Sequence, residues 1–468
     1  MPDLNPCAAD PRLLWAPQAW VQGQWRSDVV LTVDVNGQLL EVCTGMAAPP
    51  GATRLPGPVL PGMVNAHSHA FQRAFAGLAE RRSGERDDFW SWRDRMYAVA
   101  LRVTPEQLHA IATQLYTEML RGGYTQVCEF HYLHHDADGS RYADPAEMSL
   151  ALVQAAQDAG IGITLLPVLY QRAGFTQATL REDQRRFAST VELVRTLSSR
   201  VNALMSPLAR AGLAVHSLRA APAEAVQELA LQARFLDGPV HIHIAEQTAE
   251  VDDCLAATGL RPIEWLARHV PLDHRWHLVH ATHTTPGEIE AVRRSGAGVV
   301  ICPSTEANLG DGLCDLPGWL ASDTPLSIGS DSHMSRSWVD ELRWLEYGQR
   351  LALRRRNVAA APELGLASTA ARLFDRSIAG GAAAAGFERW GLVEGARADL
   401  LVLDADAPGL LGVPDSHRLD ALVFATNALA FTEVWVAGQR RLEQGLHIRQ
   451  REARAGFAHA MRELWAEL

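Results

Sequence analysis

Long apolar runs are missing from this 468-residue sequence. No uninterrupted stretch reaches the ~20 residues that a helix needs to cross a bilayer, so no membrane span is expected. The start, Met1-Pro2-Asp3, has no basic segment followed by an apolar one, and no secretory signal is expected either. Cysteine is sparse: Cys7, Cys43, Cys128, Cys254, Cys302 and Cys314 are scattered, with no CxxC spacing. That pattern argues against a disulfide framework and against an all-cysteine zinc site, and it fits a reducing, cytoplasmic setting. Net positive charge is lacking too, with a formal charge of −11 and a pI of about 5.9. Such a balance gives no general attraction to nucleic acid or to an anionic membrane. A small anionic substrate stays open, because a local arginine pair can outweigh the global sign.

The composition that is present, 47% hydrophobic and 21% charged, suits a globular protein with a large core. The length suits a large catalytic domain plus a smaller one. Residues 1–60 read as short strands and turns; the runs 29–33 and 39–42 flank Asn36-Gly37, a hairpin signal. From residue 61 to 385 the texture changes. Short apolar runs at 63–66, 125–130, 162–169, 213–217, 240–244, 277–281, 298–302 and 326–329 alternate with helical stretches such as 145–159, 222–235 and 286–295. Pro145, Pro222 and Pro286 stand at helix starts, where a missing N–H is harmless. Eight such units in order predict an α/β fold of the (β/α)8 TIM barrel type; the pattern alone also permits a doubly wound sheet.

The stretch 79–121 is longer than one crossover helix requires. It carries Phe89, Trp90, Trp92, Arg93 and Tyr97, and we read it as a lid or wall over the barrel mouth. In residues 386–468 strands return at 400–403 and 434–436, with Gly438 turning the chain and a helix at 450–467. These strands are expected to join those of residues 1–60 in a small β-sandwich built from both chain ends. Gly380-Gly381 to Gly386 looks superficially like a dinucleotide loop. It follows a helical segment rather than a strand, so close helix packing is the better reading.

His67 and His69 follow the first barrel run. Alternate residues of a strand point to one side, so the two imidazoles can meet at one point. His243, with Glu246 three residues on, His280 and Asp331 each follow or end a later run. In a barrel the C-terminal ends of the strands converge on one face, where an active site is expected. A lone histidine is more often a core or surface residue than a ligand. His67, His69, His243 and Asp331 at the ends of strands 1, 5 and 8 together supply three nitrogens and an oxygen, which is a metal-binding set. His241 competes with His243 along the same strand; His243 lies nearer the strand end and beside Glu246. No lysine stands near the ends of strands 3 to 5, where one could bridge a second ion, so one divalent ion is the simpler reading. Zinc is the default for this donor set, and iron(II) is accepted by it. Asp331 would then accept a proton from the attacking water, and Glu246 would protonate a departing nitrogen. His280 would hydrogen-bond the attacked centre. Glu246 could otherwise be a surface residue opening a helix, His280 a buried core residue, and Asp331 a helix cap.

At this point the residues resemble a known group. His67-x-His69, His243-x-x-Glu246, His280 and Asp331 look like the amidohydrolase superfamily in its single-metal deaminase branch. The run Gly391-Leu392-Val393-Glu394-Gly395-Ala396-Arg397-Ala398-Asp399-Leu400 resembles the segment by which those chains return to their β-sandwich. Within the superfamily, three further segments are similar to the formimidoylglutamate deiminases: Asn65 to Ala74, Phe89-Trp90-Ser91-Trp92-Arg93, and His216-Ser217-Leu218-Arg219. The resemblance implies hydrolysis of N-formimino-L-glutamate to N-formyl-L-glutamate and ammonia, in histidine breakdown, by a homodimer. It further implies that Arg219 and His216 hold one end of that dianion, that Arg93 and Tyr132 hold the other, and that Gln72 stands near the metal. Paired carboxylates do call for fork-shaped arginine donors. His131, His134 and His135 crowd the loop of Tyr132, and the sequence does not rank them. Two alternatives remain: a related deaminase acting on a purine or on another formimino amino acid, and a non-catalytic scaffold, whose sign would be lost ligands.

Overall fold

Short runs of Val, Ile and Leu are too brief for helices and apolar on both faces, the signature of strands buried in a parallel sheet. In the computed structural model, which describes residues 11–81, 89–427 and 430–466, all eight form parallel strands. They are β1 (Met63–Ser68), β2 (Tyr124–His131), β3 (Gly162–Leu169), β4 (Leu213–Val215), β5 (Val240–Ile244), β6 (Trp276–His280), β7 (Gly298–Ile301) and β8 (Leu326–Ile328). Each pairs with the next in sequence order. A parallel bridge between Ser68 and Asp331 joins the last to the first. There Asp331 N–H donates to the His67 carbonyl at 3.0 Å and His69 N–H to the Asp331 carbonyl at 3.3 Å. The fold is therefore a nearly closed (β/α)8 barrel and not an open doubly wound sheet.

Two compact units divide the chain: residues 63–388 with 449–468, and residues 1–62 with 389–448. In the first, helices alternate with the strands as the sequence predicts. Pro286 opens the helix Pro286–Ser295, whose Thr285 and Glu288 form a reciprocal capping box. Pro222 caps Ala223–Ala233, whereas Pro145 sits in a turn two residues before Glu147–Ala159. The insertion after β1 contains two helices, Phe89–Ala100 and Pro105–Arg121. The helix Thr369–Ala384 packs on β8 and β1, and its C-terminal end reaches the inward-facing side chains: the Ala384 carbonyl accepts from His241 Nε2 at 2.8 Å, and the Ala385 carbonyl accepts from Thr164 Oγ1 at 3.0 Å. Gly380 lets that helix come close, since a Cβ there would lie 2.1 Å from the Leu326 carbonyl oxygen. The Gly380-Gly381 pair thus serves helix packing. The terminal helix Gln450–Trp465, grouped from sequence with the C-terminal strands, belongs instead to the barrel unit. Its Phe457 ring stacks under the Arg73 guanidinium at 4.8 Å, and its Trp465 indole donates to the Ala74 carbonyl.

The second unit is one hydrogen-bonded, nine-stranded sheet drawn from both chain ends. Strands Gln24–Val33 and Leu39–Cys43 form the expected hairpin, and Leu400–Leu403 pairs with both Val59–Pro61 and Phe431–Val436. Leu14, Leu31, Val59, Leu400, Val402 and Trp435 share its core. Cys7 and the side chains of Phe89, Trp90 and Ser91 lie outside the described residues. The other five cysteines are free thiols.

Candidate active site

At the C-terminal ends of β1, β5, β6 and β8 five side chains meet. His67 Nε2 lies 3.1 Å from His69 Nε2 and 2.9 Å from His243 Nε2. Asp331 Oδ1 stands 3.6 Å from His67 Nε2 and 3.3 Å from His69 Nε2. His67 and His69, two residues apart, meet as strand alternation predicts, and a register shift lies beside them. Between Asn65, paired with Val127, and Ser68, paired with Glu129, β1 holds one residue more than β2. Such a bulge re-aims the side chains beside it. His69 Nδ1 donates to the Phe130 carbonyl at 2.9 Å, which fixes the tautomer and leaves Nε2 as an acceptor.

The donor set fits a divalent cation. Burial first, and neighbouring imidazoles second, hold His67 and His243 well below the ordinary histidine range. Burial also takes His69 down to about 3, against the pull of the Phe130 carbonyl. Neutral imidazole is the form that binds metal. Three neutral Nε2 atoms and a carboxylate oxygen facing one point cannot all satisfy one another through shared protons, and a cation would supply the missing charge. The chain has no lysine at all, its 43 basic side chains being arginine, so a lysine bridging two ions is impossible here.

His280 differs from the other three. Its Nε2 lies 3.7 Å from Glu246 Oε1 and 3.9 Å from Asp331 Oδ2, and its Nδ1 lies 3.5 Å from Glu306 Oε1. Burial opposes a charge on this ring, but Glu246, Glu306 and Asp331 around it raise it to about 10. An imidazole so placed can hold a proton, although one of its nitrogens also lies close enough to those of His67 and His243 to share an ion with them. His241, the competitor of His243, points inward on the same strand but deeper, onto Ala384. Depth along the strand, not facing, separates the two. The backbone is strained at these strand ends: Ala245, His280, Ala281, Asp331 and His333 all have φ between +46° and +70°. Non-glycine residues adopt that region only where the surroundings hold them.

Above the five side chains opens a cavity. Gln72, Arg93, Tyr132, His216, Arg219, Glu246, His280 and Asp331 line it together with His69 and His243, and His67 lies buried beneath. Gln72 Nε2 donates to the Tyr132 hydroxyl at 3.2 Å. Arg219 Nη2 stands 3.9 Å from Glu246 Oε2; burial opposes its charge, and Glu250 and Glu246 more than restore it. Arg172 braces this loop by donating to the carbonyls of Leu218 (2.7 Å) and Arg219 (3.1 Å). Of the crowded β2 loop, only Tyr132 lines the cavity. His134 Nε2 bonds the Val168 carbonyl, His135 Nε2 bonds the Ala188 carbonyl, and the His131 ring packs on His134.

Trp92 and Tyr97, from the insertion read as a lid or wall, line the cavity, but the sequence reading missed Met96, Tyr170 and Phe187, which with them make the wall largely aromatic. Gln184 Nε2 donates to both the Tyr97 (3.3 Å) and Tyr170 (2.9 Å) hydroxyls. Tyr170 follows the end of β3 directly, a position that could have marked it. Glu306, behind His280, sits in the helix after β7, where no candidate was sought.

Comparison with known proteins agrees with this geometry. Residues 59–441 match the family model described as the amidohydrolase family. The chain is 47% identical over 452 residues to formimidoylglutamate deiminase of Pseudomonas aeruginosa, covering 96% of this chain and 99% of that one. It is 28% identical over 402 residues to 8-oxoguanine deaminase of the same organism, covering 83% and 82%. A crystal structure of an amidohydrolase from Brucella melitensis superposes with a TM-score of 0.91 at 43% identity, covering 97% of this chain and 99% of that one. With His67, His69, His243 and Asp331 converging at its strand ends, and with the family model spanning its barrel, this chain belongs to the amidohydrolase family.

Proposed function

We propose that this enzyme hydrolyses N-formimino-L-glutamate to N-formyl-L-glutamate and ammonia, with one divalent ion held by His67, His69, His243 and Asp331. The observation that carries the substrate is the pair of arginines, Arg93 and Arg219, lining one cavity with Glu246, His280 and Asp331. A substrate with two carboxylates and a reactive C=N matches that pairing of fork-shaped cations with proton-transfer groups. The 47% identity to a formimidoylglutamate deiminase supports the same choice.

An ion bound in the quartet would lower the pKa of the attacking water and polarise the formimino carbon. The chain's own groups do the rest. Asp331 accepts a proton from the water as oxygen adds to the carbon. His280, within 4 Å of both Glu246 and Asp331, donates a hydrogen bond from Nε2 to the water oxygen as it adds to the carbon, and keeps its proton. Glu246 delivers a proton to the terminal nitrogen through Oε1, on the side of His280. The proton held by Asp331 passes to the same nitrogen, the bond from carbon to that nitrogen breaks, and the added hydroxyl returns its proton to Glu246 as the C=O forms, so the two protons that ammonia gains are those of the water. Glu246 Oε2 faces Arg219 at 3.9 Å, so the acid and the carboxylate-binding arginine are held by one contact. Arg219 with His216 takes one carboxylate, Arg93 with Tyr132 the other, and Gln72 orients the formimino group.

Zinc is the ion proposed, on ligand type. The reaction belongs to histidine breakdown, in the cytoplasm, by a homodimer. No helix among the described residues is long and apolar enough to cross a membrane. The aromatic wall of Trp92, Tyr97, Tyr132 and Tyr170 would also suit a purine, and one assay separates the readings. Ammonia release is measured over formimino amino acids and purines for the parent and for Arg219→Met. Charge-assisted hydrogen bonds are worth about 1.5–3 kcal/mol each, so the variant should lose at least about tenfold in kcat/KM on formiminoglutamate. Nearly intact turnover by the variant, or a purine as the best substrate of the parent, would overturn the dianion reading.

A further inference from the structure

Glu129 is a buried carboxyl on β2 that takes no part in the chemistry above. Burying an ionisable group is costly unless it is well paired, so its contacts show what it does. They converge on one short segment. Glu129 Oε2 accepts from the Ser68 hydroxyl at 2.7 Å, and Oε1 accepts from the Ala70 N–H at 2.6 Å. The residue between these two donors is His69. The next residue of β2, Phe130, accepts from the His69 ring at 2.9 Å. Tyr116, from the helix Pro105–Arg121, donates its hydroxyl to Glu129 Oε2 at 3.1 Å and holds the carboxylate from behind.

The bracket falls where β1 is irregular. One extra residue enters β1 between Asn65 and Ser68, and the register resumes at the pair Ser68–Glu129. Immediately afterwards the chain leaves the strand for the short helix Ala70–Ala74. A two-residue segment between a bulge and a helix start has few ladder bonds of its own to fix it. The two oxygens of Glu129 supply that fixation on both sides of His69.

We propose that Glu129 is the positioning residue that sets the affinity of the site for its divalent ion, by clamping Ser68 and Ala70 so that His69 is presented together with His67. This rests on the metal reading above. Partners that orient metal ligands typically change affinity by about 10–100-fold when removed. Glu129→Gln keeps the shape but cannot accept at both positions, so its affinity for Zn2+ should fall by about that factor.

The test is chelator competition with Zn2+ on the parent, Glu129→Gln, Ser68→Ala and Tyr116→Phe, with thermal midpoints of the metal-free and reloaded forms. Glu129→Gln should bind most weakly, Ser68→Ala should lose several-fold, and Tyr116→Phe should lose least. The midpoint of the metal-free form should hold or rise in Glu129→Gln, while the gain on adding Zn2+ shrinks. A purely structural role would instead lower the metal-free midpoint and leave the affinity alone. Parental affinity in Glu129→Gln overturns the proposal; if that variant does not fold, parental affinity in Ser68→Ala does so. Failure of the parent itself to bind Zn2+ would overturn the metal reading instead.

Discussion

A carboxyl sealed among apolar side chains stabilises the fold in one protonation state and opposes it in the other. Glu341, fully buried, accepts from Ser304 N–H at 2.9 Å and from the Ser304 hydroxyl at 2.6 Å. Burial pushes it up from 4.5 to about 8, the two donors opposing. Between these values the folded chain keeps a proton that the unfolded chain has released. Stability from this residue is therefore full below about pH 4.5 and falls as the pH rises toward about 8. Glu341→Gln cannot ionise. Its thermal midpoint relative to the parent should rise between pH 5 and pH 8, by at least a degree if even one unit of the shift, about 1.4 kcal/mol, is realised. A difference that stays flat over this range would refute the assignment. At the same scale, the convergence of His67, His69, His243 and Asp331 was legible in the sequence because barrel strand ends meet on one face. Tyr170 and Phe187 were not, because an aromatic residue beside a strand or in a helix reads first as core.

Strands were easier to read than what bends them. All eight barrel strands lie where short apolar runs predicted them, since a strand buried on both faces leaves an unbroken apolar signature. The bulge in β1 left no such mark. It adds one residue to a run of six, and only the partner strand reveals the slip. Helix packing lies between these cases. Gly380-Gly381 was readable as a packing surface, though not what it packs against. The structure gives a sharp consequence: a Cβ at Gly380 would sit 2.1 Å from the Leu326 carbonyl oxygen on β8, and backbone cannot yield as a flexible side chain would. Gly380→Ala gains helix propensity of about 1 kcal/mol. Overpacking typically costs about 1–3 kcal/mol and can exceed that. With a backbone clash this close, the net effect should be a lower midpoint in thermal or urea unfolding. A stabilised variant would mean that the helix can retreat from β8 freely.

Across the barrel unit as a whole, the sequence carried the order of the strands but not how the ring is held shut. The seam between β8 and β1 has little regular pairing: one bridge, Ser68–Asp331, and two backbone hydrogen bonds involving Asp331. The side chain of that aspartate faces His67 and His69 across the same seam. An ion held by the three, with His243 from β5, would therefore cross-link the two strands that the backbone ties least. Binding to the folded state alone stabilises by about 2.7 kcal/mol when free ion is a hundredfold above its dissociation constant. Removing the ion with a chelator should lower the thermal midpoint by a few degrees, and Zn2+ should restore it. The loss should also be local. Amide exchange should quicken at residues 67–69 and 329–333 more than in β3 or β6, whose ladders need no ion. Exchange that quickens uniformly would make the ion a general stabiliser with no special tie to the seam. An unchanged midpoint and unchanged exchange would mean that the barrel closes on its backbone alone, and that the quartet serves chemistry without serving the fold.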